Sequence, residues 1–243
     1  MRLDVALAPS QIRDTEQICA VVDTLRASST IVTLLERGVP EILPAASIDD
    51  ARTMRERLPD HLLCGEAGGL PPPGFDYGNS PAEFTSAELA GRSVILATSN
   101  GTRVLASLSS SPAVVVGAPL NREAVAAALL ALGAEHSRDA CVVCAAAPSG
   151  ALALEDALGA GAIVEAALRL DPSLQPTDAA RFARQAFRAC RDDLPAALAS
   201  GRHGVELVDA GFGADVAFCA RLDVSAVVPR LGRTDGGLLT LRP

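Results

Sequence analysis

The sequence predicts a layered α/β/α fold on a mostly parallel or mixed sheet, with an α-rich C-terminal half. Three observations carry this. Short β-branched runs alternate with longer, alanine-rich amphipathic segments, the pattern of strands covered by helices on both faces. About half of the 243 residues are apolar, enough to bury a sizeable core. Beyond residue 150 the runs of strand type almost cease. Residues 1–243 therefore read as a single α/β domain, or as two intimate lobes meeting at a cleft.

The expected strands are Leu3–Leu7, Ile18–Asp23, Glu41–Pro44, Leu62–Cys64, Ser93–Ala97, Ala113–Gly117, Ala140–Ala145 and Ser225–Val228, each short and rich in branched residues. Ala27–Arg37 reads as a helix closed by Gly38, and Ile48–Leu58 has helical apolar spacing and ends at Pro59. Asn121 is placed to cap a helix over Arg122–Leu132. The C-terminal half gives helices at Ala151–Leu168, Thr177–Leu198 and Ala214–Arg221. Gly65–Pro81 is one long Gly/Pro-rich loop, and loops of that length in compact domains usually carry function.

Composition narrows the chemistry. The formal charge is −8 with basic residues scattered, so no electrostatic footprint for nucleic acid is expected. No apolar stretch approaches the roughly 18 residues of a membrane span, and no signal pattern follows Met1, so a soluble, cytoplasmic protein is expected. Six cysteines, mostly within apolar runs, read as buried free thiols of a reducing compartment. All 21 basic residues are arginine, which excludes a phosphate-loop lysine, a Schiff-base lysine and a lysine base.

In parallel sheets, ligands bind at the carboxyl ends of strands, and four such places carry polar residues. Asp23-Thr24-Leu25-Arg26-Ala27-Ser28 ends an apolar strand with an acid, an arginine and a helix start, a setting for a metal beside a phosphate. Glu66 lies in the glycine-rich turn Gly65-Glu66-Ala67-Gly68-Gly69, with Asp76, Asn79 and Ser80 following in the same loop. Thr98-Ser99-Asn100-Gly101-Thr102 offers hydroxyls and backbone N–H groups without bulk, as an oxyanion nest does. Glu155 and Asp156 interrupt an apolar helix. Plainer roles stand beside each of these: Asp23 as a helix cap, Asn100-Gly101 as a turn, Glu155-Asp156 as a solvated face.

Other motifs fail on geometry or completeness. Cys141-Val142-Val143-Cys144 has CxxC spacing, but in a strand positions three apart face opposite sides. Arg202-His203-Gly204 echoes the histidine acid phosphatases, but the remaining Arg and Pro of that motif are missing. Asp23-Thr24-Leu25 lacks the second Asp of haloacid-dehalogenase enzymes.

Taken in order, the segments Asp23–Thr30, Gly65–Gly69, Gly74-Phe75-Asp76-Tyr77-Gly78-Asn79-Ser80-Pro81, Thr98–Thr102, Leu154-Glu155-Asp156 with Gly159–Gly161, and Asp215–Ala220 with Asp223 and Val228-Pro229 resemble the 2-phosphosulfolactate phosphatase (ComB) family over nearly the whole chain. The resemblance implies Mg²⁺-dependent hydrolysis of (2R)-2-phospho-3-sulfolactate to 3-sulfolactate, a step towards coenzyme M. Ala67 stands where the family pattern is associated with arginine, so no anion contact carries over to that position. The physical reading agrees in class: a phosphomonoester dianion needs charge neutralisation and an in-line water. Asp23, Glu66, Glu155 and Asp156 are the candidate metal ligands and water activators. Arg26 and Asn100 join Asp23 and Glu66 as catalytic candidates, and Thr98, Ser99, Gly101 and Thr102 would receive phosphate oxygens. Asp76, Asn79 and Ser80 would shape the substrate end. A homodimer is the expected assembly. Two rival readings stay open: a phosphatase for another small acidic ester, and a non-catalytic organophosphate binder that needs the nest and Arg26 but not the acids.

Overall fold

The computed structural model describes residues 1–12, 16–147 and 149–243. Its strands are β1 (Arg2–Ala6), β2 (Ile18–Val22), β3 (Ile42–Ala45), β4 (Leu62–Gly65), β5 (Val94–Ala97), β6 (Ala113–Gly117), β7 (Ala140–Cys144), β8 (Gln175–Pro176), β9 (Arg230–Arg233) and β10 (Leu239–Arg242). The helices are α1 (Ala27–Glu36), α2 (Ile48–Arg57), α3 (Pro81–Phe84), α4 (Gly101–Ser107), α5 (Arg122–His136), α6 (Leu154–Leu170), α7 (Asp178–Cys190), α8 (Leu194–Ser200), α9 (Arg202–Asp209) and α10 (Gly213–Cys219). All the strands join one sheet in the order β4-β5-β3-β10-β9-β6-β2-β7-β1-β8. The expected α/β class with a mixed, mostly parallel sheet and an α-rich second half is what the chain adopts.

Two parallel blocks, β4-β5-β3 and β6-β2-β7-β1-β8, are joined by the antiparallel hairpin β9-β10. That hairpin is a correction to the sequence reading, which placed its last strand at Ser225–Val228. The segment it chose is coil, and pairing begins at Arg230. The hairpin's weak β signal, Arg-Leu-Gly-Arg, is overridden by the bond from Val116 N to Pro229 O and the cross-sheet pairing that follows. β8 and the short helix α3 likewise lacked a readable signal, whereas the segment around Arg202-His203-Gly204 reads as helical and forms α9. The long helix expected over Thr177–Leu198 breaks at Arg191–Asp193, where Asp193 caps a new start with Pro195 in its first turn. Asn121 occupies the cap position of α5 but turns inward. Its Oδ1 accepts from Ala118 N at 2.9 Å, and its Nδ2 donates to Val227 O at 2.7 Å.

Strands β2 and β7 are buried throughout, as strands covered on both faces must be. One side packs β1, β2, β7 and α5 to α7 around Leu3, Ile18, Val142 and Ile163, and the other packs α1 and α4 around Ile31, Leu34, Val104 and Val116. Helix α6 lies so close to α7 that a Cβ at Gly161 would meet the Ala183 carbonyl oxygen at 2.1 Å. Gly161→Ala is therefore expected to cost about 1–3 kcal/mol in urea denaturation; an unchanged midpoint would show that the helices can part freely. Cys19, Cys64, Cys141, Cys144 and Cys219 are buried, and burial pushes Cys141 up to about 12, so the CxxC pair is inert packing. No helix among the described residues is long and apolar enough to cross a membrane.

Candidate active site

The carboxyl ends of β2, β4, β5 and β7 open onto a cavity of about 320 Å³. Asp23, the residue after β2, lies in the turn that starts α1. Its backbone N donates to Ser28 Oγ at 2.9 Å, and its Oδ1 accepts from Ala27 N at 3.3 Å. Asp23 is thus both a loose helix cap and a cavity wall. A Cβ at Gly101 would sit 2.8 Å from Asp23 Oδ2 and 3.0 Å from the Ala27 Cβ, so the head of α4 can approach the acid only because residue 101 has no side chain.

Two further acids tie the loops together. Glu66 accepts from Ser99 N at 2.7 Å through Oε1 and from Gly69 N at 2.9 Å through Oε2, joining the glycine turn to the nest after β5. Asp156, in the first turn of α6, accepts from Thr24 N at 2.8 Å and from Ala146 N at 3.0 Å, clasping the ends of β2 and β7. Asn100 donates to Ala146 O at 3.1 Å and ties the nest to the same strand end. Glu155 is buried beside Asp156 and lies against the start of α9, where a Cβ at Gly201 would meet its Oε2 at 3.2 Å. Among the described residues no hydrogen bond reaches Glu155 or Asp23 Oδ2.

Gathering acids in a water-poor cleft raises their proton affinity. Burial, then the charges of Glu66 and Glu155, push Asp23 up to about 6, against the opposing pull of the Ala27 N–H and of His203. Burial and the neighbouring Asp23 push Asp156 well above the usual carboxylate range, and its two backbone N–H partners offset part of that.

Arg26 lies in the same cavity wall, with the Leu25–Arg26 peptide cis. Its Nη1 donates to Asp215 Oδ2 at 2.7 Å and its Nη2 to Gly69 O at 2.6 Å, while Phe212 covers the guanidinium face at 4.3 Å. Both members of this ion pair are 2% exposed. Asp215, on α10, uses its other oxygen to accept from Ser80 Oγ at 2.7 Å and Ala82 N at 3.1 Å. Asp215 was legible only as part of a C-terminal motif; nothing in the sequence paired it with an arginine 189 positions away.

The structure brings Asp23, Arg26, Glu66, Asn79, Thr98, Ser99, Asn100, Glu155 and Asp156 to the cavity. Four of the residues expected to touch substrate lie elsewhere. Asp76 accepts from Leu63 N at 2.7 Å and Arg55 Nη1 at 2.8 Å, fastening its loop to the outer strand β4. Ser80 is spent on Asp215, Thr102 bonds back to Thr98, and Gly101 makes room for Asp23 without lining the cavity. Missed from sequence were Arg202, His203, Glu206, Leu207 and Ala210, which line the opposite wall from α9. The basic pair Arg202-His203 was the available signal; it was weighed only as part of an unrelated phosphatase motif.

Hard oxygen donors suit a hard cation such as Mg²⁺. Among the described residues no three Asp, Glu, His or Cys side chains gather into a self-sufficient metal site. Asn79 supplies an independent sign of a missing partner: it is 3% exposed, lines the cavity, and its Oδ1 has no hydrogen-bond partner among the described residues.

A family model described as 2-phosphosulpholactate phosphatase matches residues 6–234. The chain belongs to the 2-phosphosulfolactate phosphatase family. Its relatives include proteins named probable 2-phosphosulfolactate phosphatase from Deinococcus radiodurans, 40% identical across 95% of this chain and 93% of the relative. Others so named come from Carboxydothermus hydrogenoformans, 34% identical across 98% and 97%, and from Thermus thermophilus, 35% identical across the full length of both. The 2-phosphosulfolactate phosphatase family assignment makes the chain a hydrolase of phosphatase type. It gives the clustered acids a chemical setting that their geometry alone leaves general.

Proposed function

We propose that this chain hydrolyses 2-phospho-3-sulfolactate to sulfolactate and phosphate with Mg²⁺ held at the acid cluster. One observation carries the reading. The cavity is walled by Asp23, Glu66, Glu155, Asp156 and Glu206, and its buried cation Arg26 is already paired with Asp215. A doubly charged phosphoester does not enter such a place without a divalent cation between the like charges.

Asp23 Oδ2 and Glu155, which receive no hydrogen bond from the described residues, would hold the ion, and Asn79 lines the same cavity. Bound there, Mg²⁺ supplies charge neutralisation and polarises the phosphoryl group. Glu66 and Asp156 do the structural part by fixing the strand ends, each with both oxygens engaged. Thr98, Ser99 and the backbone entering α4 face the phosphoryl oxygens as a preorganised nest. Arg26, immobilised by Asp215 and Gly69, adds N–H donors beyond the two already committed. The attacking group is a water that loses its proton to a carboxylate of this cluster.

The test is phosphate release from 2-phospho-3-sulfolactate, phospholactate and phosphoglycolate, with Mg²⁺ and with EDTA. The expected result is turnover abolished by EDTA, restored by Mg²⁺, and about tenfold faster in kcat/KM for the sulfolactate ester. Equal or better turnover of another acidic ester would reassign the substrate. Metal-independent release would remove the ion from the mechanism.

A further inference from the structure

We propose that Arg202 and His203 on α9 form the recognition end of the cavity, where they receive the second acidic group of the substrate and so set its specificity. The inference rests on the hydrolase reading and deepens it by assigning residues to the part of the ester that does not react. Three basic side chains line the cavity: Arg26, Arg202 and His203. Arg26 is buried and neutralised by Asp215. The basic groups not locked in a buried ion pair therefore lie on α9, in the same cavity as the acids.

Helix α9 is held there by contacts at both ends of the site. Gly201 abuts Glu155, and a Cβ at Gly69, in the Glu66 turn, would touch Leu207 at 3.8 Å. His203 lines the same cavity as Asp23. The two basic groups lean on one acid: Arg202 Nε lies 3.7 Å and His203 Nδ1 3.3 Å from Glu206. Such pairs are weak, because Arg202 and Glu206 are largely exposed. A carboxylate or sulfonate entering the cavity offers the guanidinium a bidentate partner, which the largely exposed Glu206, 3.7 Å from Nε, does not. Glu206 thus acts as a placeholder that such a group displaces, while a phosphoester with no carboxylate or sulfonate gains nothing from displacing it.

Two readouts test this together. Phosphate release is measured for phospholactate and for isopropyl phosphate, which share a skeleton and differ in the carboxylate. Binding of 3-sulfolactate is measured by isothermal titration calorimetry. Arg202→Gln and the double variant Arg202→Gln/His203→Gln should raise KM for phospholactate by about tenfold to a hundredfold with a smaller change in kcat, and weaken 3-sulfolactate to match. The preference for the acidic ester should shrink accordingly, and Glu206→Gln should lower KM for it. If Arg202→Gln slows both esters equally, or if Glu206→Gln raises KM as the basic variants do, α9 is only a structural wall and the proposal is overturned. If the wild type turns over neither these esters nor 2-phospho-3-sulfolactate yet binds 3-sulfolactate through Arg202, the hydrolase reading falls and the recognition site stands. Neither turnover nor binding overturns both.

Discussion

Asp23→Asn should yield a protein that is more stable and inactive. The loss of phosphate release is expected to be on the order of 10³-fold, since the variant removes a carboxylate oxygen facing the cavity. The gain in stability follows from linkage. Burial first, then Glu66 and Glu155, hold the folded-state carboxyl at about 6, whereas unfolded Asp titrates near 3.9. Below about pH 4 both states carry the proton and folding loses nothing. Between pH 4 and 6 the folded state binds more protons, so stability declines as pH rises, and above pH 6 the deficit is constant. Removing the ionisable group should recover on the order of 2–3 kcal/mol at pH 7.5, roughly 5–10 °C in Tm. Asp156, also pushed up, remains to give a residual slope. Mg²⁺ should raise the wild-type Tm and leave that of Asp23→Asn nearly unmoved; ion concentrations near 100 times Kd stabilise by about 2.7 kcal/mol. Thermal melts across pH, with and without Mg²⁺, check all three expectations. A variant no more stable than wild type would show that Asp23 is well solvated or already compensated.

The second large effect concerns the Arg26–Asp215 pair. Asp215→Ala leaves a guanidinium that is 2% exposed without its counter-charge and deprives Ser80 Oγ and Ala82 N of their acceptor. Breaking one side of such a pair costs about 3–5 kcal/mol, roughly 8–15 °C in Tm for a chain of this size. Arg26→Met combined with Asp215→Leu should behave differently. Apolar replacement of both partners is often neutral, so the double variant should regain most of the lost stability, by thermal or urea denaturation. Its phosphate release should nevertheless stay down by on the order of 10²-fold or more, because the cavity has lost its fixed cation. If activity returned with stability, Arg26 would be a packing residue alone.

These predictions turn on pairings of very different legibility. Asp23, Glu66 and Asn100 each stand at or just beyond the end of an apolar run, beside a glycine or hydroxyl residue. The rule that parallel strands present their carboxyl ends to ligands was enough to select them. The octet Gly74–Pro81 was equally conspicuous, but its parts split in the fold: Asn79 faces the cavity, whereas Asp76 fastens the loop to β4 and Arg55. A loop can be distinctive because it must hold a shape as well as because it touches a ligand, and spacing does not separate the two.

By itself the sequence determined the α/β class, the burial of the central strands, the absence of lysine chemistry and the strand-end acids, because each is a property of local composition and periodicity. The family resemblance lay in the same local segments. Only the tertiary structure decided that a C-terminal hairpin joins two parallel blocks, that Arg26 is answered by Asp215, and that α9 brings Arg202 and His203 to the cavity that holds the acids. Those outcomes depend on contacts between residues far apart in the chain, where pairing is set by how whole elements pack and not by any residue's neighbours.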